Sequence, residues 1–182
     1  MNIDEIALTV VDALHAAQIP YLLAGSFSSN YYGIPRSTED ADFVIQLGDK
    51  SICSLMPHLG AMFQLDRQVS FETMTATLKN VIKVPGTSFM IELFRLSHEP
   101  HDQERFSRRR AVPLLGRQVS LPTAEDVIIT KLRWLRRKDC DDIRDVIAVQ
   151  DVHLDWAYIF RWCDEHGTRG ALEEIRAELR SL

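Results

Sequence analysis

Tyr21-Leu22-Leu23-Ala24-Gly25-Ser26, followed after thirteen residues by Asp40-Ala41-Asp42-Phe43-Val44-Ile45, is the stretch on which the fold turns. Its first part, Tyr21 to Ala24, is an apolar run with the length of a short buried strand. Gly25 permits a tight turn and close backbone approach, and Ser26 is placed to cap a helix running through Tyr31-Tyr32 to about Gly33. The free N–H groups of such a helix start suit a phosphate. From Asp40 onward, polar and apolar residues alternate as they do in an entering strand. Both carboxylates then share one face, about 6.6 Å apart at a rise of about 3.3 Å per residue, and can converge on divalent cations. Hard oxygen donors select magnesium or manganese. A D-x-D pair by itself is also common punctuation at a strand entrance, and its weight here comes from Gly25-Ser26.

Gly25-Ser26, thirteen residues, then Asp40-x-Asp42 resembles the signature of the nucleotidyltransferase superfamily related to DNA polymerase beta. Arg36-Ser37-Thr38-Glu39-Asp40-Ala41-Asp42 is similar to the R-x-T-x-D-x-D run of small bacterial AbiEii-like nucleotidyltransferases of toxin–antitoxin pairs. The resemblance implies an α+β nucleotidyltransferase fold, with a small mixed β-sheet flanked by helices and a C-terminal helical bundle. It also implies a third carboxylate on a neighbouring strand. Glu92, the one acid in the segment Ser88-Phe89-Met90-Ile91-Glu92-Leu93-Phe94, is the residue for that place. Aspartate is the residue the resemblance leads one to expect, so the longer glutamate is a departure. The other reading of Glu92 is a place on a solvated sheet face.

The 182 residues suffice for one domain, or for a core with a helical appendage, and 46% hydrophobic residues supply an interior. A net charge of −5 excludes a protein that coats nucleic acid through bulk positive charge, while leaving room for a local basic patch. Cys53, Cys140 and Cys163 are widely spaced and form no C-x-x-C pair. Neither a disulfide framework nor a zinc site is expected, and a reducing cytoplasm is. The acidic start and the absence of any apolar run approaching about 18 residues predict neither secretion nor membrane insertion.

Ile3, Ile6, Ala7, Val10, Val11 and Leu14 recur at helical spacing ahead of the Pro20 turn. Lys50 to Leu59 reads as a helix stopped by Gly60. Val69 to Val84 and Phe89 to Leu96 form a predicted hairpin about Pro85-Gly86-Thr87, with Glu92 on its second strand, and another hairpin turns at Gly116. His98 to Arg110 between them reads as a polar, mobile loop, in which His98-x-x-His101 beside Glu99 and Asp102 has too little pattern for a metal site. From Pro122 onward only helical periodicity remains, over Glu125 to Leu135, Asp141 to Val149, Trp156 to Cys163 and Leu172 to Leu179. The expected organisation is a core at 1–121 with a helical region at 122–182 packed on it.

Thr123, with Asp126 three residues on, has the form of a capping box. Val127, Ile128, Lys131, Leu132 and Leu135 share one helix face, which sets a lysine in an apolar stripe. Such a lysine either snorkels to solvent or has a partner. Ala124 to Leu132 resembles the AbiEii-like helix whose lysine points into the nucleotide cleft, which implies that Lys131 neutralises triphosphate charge. Lys138-Asp139-Cys140-Asp141-Asp142-Ile143 resembles the K-D-x-x-D-I motif of the same families and marks Asp142. The competing reading makes Asp139 an N-cap and Asp142 a complement to the helix dipole, and pairing with Lys131 would reconcile the two. Arg133, Arg136, Arg137 and Lys138 around Trp134, and Arg105, Arg108, Arg109 and Arg110, fit either a nucleic-acid backbone or solvated faces.

The resemblance thus implies a magnesium- or manganese-dependent nucleotidyltransferase, moving a nucleoside monophosphate from a nucleoside triphosphate to a hydroxyl. Asp40, Asp42 and Glu92 would hold metal, and Gly25, Ser26, Arg36, Lys131 and Asp142 the nucleotide. The acceptor stays open among an RNA end such as tRNA, a protein and a small molecule such as an antibiotic, and a cognate antitoxin is an implied partner. The departure at Glu92 motivates an alternative, a binding or regulatory protein that kept the fold and lost the chemistry.

Overall fold

The computed structural model describes residues 2–73 and 76–180. Helix α1, Ile3–Ala16, begins where Asn2 and Glu5 exchange the reciprocal bonds of a capping box. It buries Ile6, Ala7, Val10, Val11, Ala13 and Leu14, the stripe visible in the sequence. Strand β1, Tyr21–Leu23, runs antiparallel to β2, Asp40–Ile45. Between them lies α2, Gly25–Tyr32.

The sheet is mixed, in the order β1-β2-β6-β5-β3, with β4 also paired to β5. Its remaining strands are β3, Gln64–Leu65; β4, Ser70–Glu72; β5, Thr77–Lys83; and β6, Met90–Arg95. β6 is antiparallel to β5 but parallel to β2, and this register sets Asp42 directly opposite Glu92. Strand alternation divides the two faces. Tyr21, Leu23, Ala41, Phe43, Ile45, Ile82, Ile91 and Leu93 join α1 in the main hydrophobic core. Asp40, Asp42 and Glu92 therefore project from the opposite face.

The hairpin of β7, Arg110–Leu114, and β8, Arg117–Leu121, turns through Leu115 and Gly116, both with positive φ. Helices α5, Ala124–Trp134; α6, Arg137–Gln150; α7, Trp156–His166; and α8, Arg169–Arg180 follow. They enclose a second core that includes Ile128, Ile129, Leu132, Ile143, Val146, Ile159, Cys163 and Leu172. The end of α2 meets α6 so closely that a Cβ on Gly33 would lie 3.0 Å from the Val146 nitrogen.

Two sequence expectations need correction. The segment 50–59 is a short 3-10 turn, Ile52–Leu55, followed by α3, Met56–Leu59, because Pro57 has no N–H for a continuous ladder. His98 to Arg110 is not a mobile loop: Pro100–Ser107 forms helix α4 and buries His101, Asp102, Arg105 and Phe106. Its charges find partners inside the protein, which composition does not reveal. Arg105 lies 3.3 Å from Asp102 and donates to Thr130 at 2.9 Å.

Asp126 is the centre of this packing. Fully buried, it accepts from the Thr123 hydroxyl at 2.9 Å and the Tyr158 hydroxyl at 2.7 Å. His101 Nε2 stands 3.1 Å away and Arg108 Nε 3.4 Å. Burial works to raise its pKa, but the bonds from His101 and Tyr158 outweigh it and hold the carboxyl below the usual range. Asp126→Ala strands these donors, and urea unfolding should show a loss of about 3–5 kcal/mol. Arg117→Ala, which removes only an exposed pair with Asp12, should cost less than about 1 kcal/mol.

Candidate active site

Gly25 is the pivot. Its φ of +58° is available to glycine without strain, and a Cβ there would fall 2.0 Å from Asp42 Oδ2. The Ala24 N–H donates to the Asp42 carbonyl at 2.7 Å, so turn and strand are fastened side by side. Ala24, not Ser26, occupies the N-cap of α2 and makes no side-chain cap bond. The Ser26 hydroxyl is engaged elsewhere, accepting from Arg36 Nη2 at 3.0 Å.

Asp40, Asp42 and Glu92 line one cleft with Gly25, Ser26 and Lys131, and the cleft holds about 1050 Å³ counted to its open mouth. Enclosure raises the Asp42 pKa to about 6, with the charges of Glu92 and Asp40 adding to the effect and Lys131 and Lys138 opposing it. Glu92 has its own cation: Lys79 Nζ lies 2.7 Å from Oε1.

Lys131 does not snorkel to solvent. It is buried, with Nζ 2.5 Å from Asp142 Oδ2 and 3.5 Å from Asp139 Oδ1. Asp142 also accepts from Arg36 through Nε at 2.6 Å and Nη2 at 2.9 Å, and from the Ser29 hydroxyl at 3.2 Å. Burial pushes the Asp142 pKa up, yet the bonds from Arg36 and Lys131 prevail and hold it low. Arg36 and Asp142 stand behind the cleft wall rather than in it. The cap of α6 is Arg136, so Asp139 is not the N-cap; it sits at the third helical position and accepts from the Arg136 backbone N–H at 3.1 Å.

The donor set suits a hard divalent cation at Asp40 and Asp42, whose crowded charge such an ion would neutralise. Among the described residues, however, no three carboxylate, imidazole or thiolate side chains converge into a ready-made ion cage. Glu92 lines the same cleft but is engaged with Lys79.

No protein-family model matches the chain, and no curated protein does. Solved structures do. An antigenic nucleotidyltransferase-like protein from Paracoccidioides brasiliensis superposes with a TM-score of 0.64 at 22% identity, covering 100% of this chain and 93% of the other. The antibiotic-resistance factor ANT(2'')-Ia, in solution, gives a TM-score of 0.60 at 10% identity, over 98% of this chain and 95% of that one. This is the nucleotidyltransferase fold. ANT(2'')-Ia in complex with adenylyl-2''-tobramycin aligns at 0.51 and 14% identity, over 97% of each chain.

The cleft brings together Gly25, Ser26, Asp40, Asp42, Glu92 and Lys131, and it also includes residues that the sequence did not single out. Asp139, Thr130, Ser28 and the pair Asp102–Arg105 reach the wall only through helix packing. Trp134, Arg136 and Lys138, flagged as a basic cluster, do line the cleft, and Arg136 and Lys138 are exposed. Of the other cluster, Arg105 and Arg108 are committed internally, Arg105 to Asp102 and Arg108 to Asp126 with its guanidinium 3.9 Å from the centre of the Tyr158 ring, while Arg110 is exposed. Arg133 joins Glu99 at 2.8 Å.

Because the folded pKa of Asp42 lies above the ordinary carboxylate value, its ionisation opposes folding. Stability attributable to this group declines as pH rises from about 4 through about 6. Asp42→Asn should therefore stabilise the protein at pH 7.5 by about 1–2 kcal/mol, after discounting for solvent in the open cleft. Thermal melts should show a gain of several degrees at pH 7.5 that vanishes near pH 4.

Proposed function

We propose that this protein transfers a nucleoside monophosphate from a nucleoside triphosphate to a hydroxyl group, with a magnesium or manganese ion held by Asp40 and Asp42. The observation that carries this reading is one cleft in which that carboxylate pair, beside the Gly25 turn, faces the buried cation Lys131. Backbone N–H groups at Gly25 and Ser26 receive phosphate oxygens, and Lys131, Arg136 and Lys138 offset the triphosphate charge. Arg36 and Asp142 fix Ser26 and Lys131 in position. The acceptor oxygen bonds to the α-phosphorus as the bond to the leaving pyrophosphate breaks, and Glu92 or water takes the hydroxyl proton. A bound divalent ion supplies charge stabilisation to the phosphoryl group and acidifies the attacking hydroxyl. Glu92 would join it only by releasing Lys79.

The complex of ANT(2'')-Ia with adenylyl-2''-tobramycin supports nucleotidyl transfer as the general chemistry of the fold. An aminoglycoside is a polycation and wants unpaired carboxylates, and the acids of this cleft are mostly committed. Glu92 pairs with Lys79, Asp102 with Arg105, Asp126 with Arg108, and Asp139 with Arg136 and Lys131. With the exposed Arg136 and Lys138 lining the cleft, the charge favours a phosphate-bearing acceptor such as an RNA end over a cationic antibiotic. A toxin–antitoxin setting with a cognate antitoxin rests on the AbiEii-like resemblance. The Glu92–Lys79 pair favours the second reading, a nucleotide-binding protein without turnover.

The test incubates the protein with each α-labelled nucleoside triphosphate and magnesium, in parallel with total RNA, cell lysate protein and tobramycin. Label entering RNA with wild type and falling at least a hundredfold with Asp42→Ala is the expected result. Asp42-dependent label in tobramycin alone overturns the acceptor assignment. No Asp42-dependent label anywhere overturns the enzymatic reading and leaves the binding one, which calorimetry with triphosphate would then have to support.

A further inference from the structure

Lys79 has no part in the transfer described above, yet it is built into the same sheet face. On β5, Asn80 and Ile82 are buried, while Lys79 and Val81 alternate with them; Val81 pairs with Glu92 and Lys79 with Phe94. The Lys79 ammonium is 2.7 Å from Glu92 Oε1 and 5.5 Å from the centre of the Phe94 ring. Both side chains of the pair are only about one-fifth exposed, at 22% and 21%. The contact is thus fixed by strand register, by an aromatic face and by partial burial.

We propose that Lys79 is the resident counter-ion of Glu92, so that the site takes one divalent cation, on Asp40 and Asp42, where three free carboxylates would take two. This rests on the nucleotidyltransferase reading. Charge counting supports it: three carboxylates bring three negative charges, Lys79 returns one, and the remaining two match a single divalent ion. A second cation at Glu92 would have to strip away the ammonium and then sit beside it, two like charges in a partly desolvated place. Side-chain length fits as well: glutamate carries one methylene more than aspartate, and from its place opposite Asp42 Glu92 reaches the Lys79 ammonium on the next strand. The departure at this position and the lysine opposite Phe94 are then two parts of one device. Lys79 is a positioning residue, holding the Glu92 carboxylate outside the cation's shell.

The experiment counts Mn²⁺ bound per chain by electron paramagnetic resonance, at saturation with a non-hydrolysable analogue of each of the four ribonucleoside triphosphates in turn. Wild type and Lys79→Arg should bind one ion. Lys79→Met, which keeps an unbranched chain over Phe94 and whose folding is checked by thermal melt, should bind two. Glu92→Gln, which removes the carboxylate without enlarging the cleft, should stay at one. Two ions in wild type, or one in folded Lys79→Met, overturns the proposal while leaving the nucleotidyltransferase reading intact. Absence of Mn²⁺ and analogue binding in every variant overturns both. Should Lys79→Met fail to fold, the wild-type and Glu92→Gln counts still decide: two in the first and one in the second would place a cation on Glu92 and refute the assignment.

Discussion

The carboxylate of Asp142 is the charge on which the arrangement of the cleft depends. It gathers Lys131 from α5, Arg36 from the loop before β2 and Ser29 from α2, while itself belonging to α6. Four segments far apart in sequence meet on two oxygens. Buried charge is costly to keep, and it persists where donors surround it so fully that both oxygens are satisfied. The consequence for the cleft is geometric. Lys131 is pinned at its wall rather than searching solvent, and Arg36 is held where Nη2, already bonded to Asp142, also reaches Ser26. Without that clamp, the second hydrophobic core could form around α5 to α8 and still leave the lysine pointing anywhere.

Opposite the clamp, the sheet supplies the negative side. β2 lies parallel to β6 and next to the Gly25 turn, and these two pairings crowd Asp42 between Glu92 and the helix start. Asp40, Asp42 and Glu92 sit on strands, where a period of two fixes which face they take. Lys131 and Lys138 sit on the helices opposite, and Lys79 reaches Glu92 from β5. The helical acids of the cleft, Asp102, Asp126 and Asp139, are each paired with a cation, so the unpaired negative charge lies on the sheet side.

Much of this was legible in the chain. A turn glycine followed at fixed distance by alternating aspartates limits the local geometry to a few forms, and the stripe on α1, the hairpins and the C-terminal helices follow from periodicity. Lys131 was visible as a charge in an apolar stripe. What stayed hidden depends on partners distant in sequence. Helix α4 is rich in charge and looked like a loop, because nothing in 98–110 says that Asp126, Thr130 and Tyr158 will receive its side chains. Ser26 looked like a cap because a serine after a turn usually is one, and Arg36 claims its hydroxyl instead. Lys79 could not be seen at all, since its relation to Glu92 exists only through the register of β5 on β6.

The raised pKa of Asp42 shows how the fold divides stability from chemistry. Elsewhere each buried acid is matched: Asp126 and Asp142 are held low by donors and strengthen the fold when ionised. Asp42 is the exception, enclosed beside two other carboxylates with Lys131 and Lys138 too remote to compensate fully. A protein could relieve this by moving Lys131 from Asp142 to Asp42, since Lys131 and Asp42 line the same cleft. It does not: Lys131 stays on Asp142, which leaves the Asp42 carboxylate open to the cleft. Keeping Lys131 on Asp142 and Lys79 on Glu92 leaves Asp40 and Asp42 without a cation partner among the described residues, facing an open cleft. Binding a dication there would return the free energy that folding gives up, so ligand and fold stabilise each other.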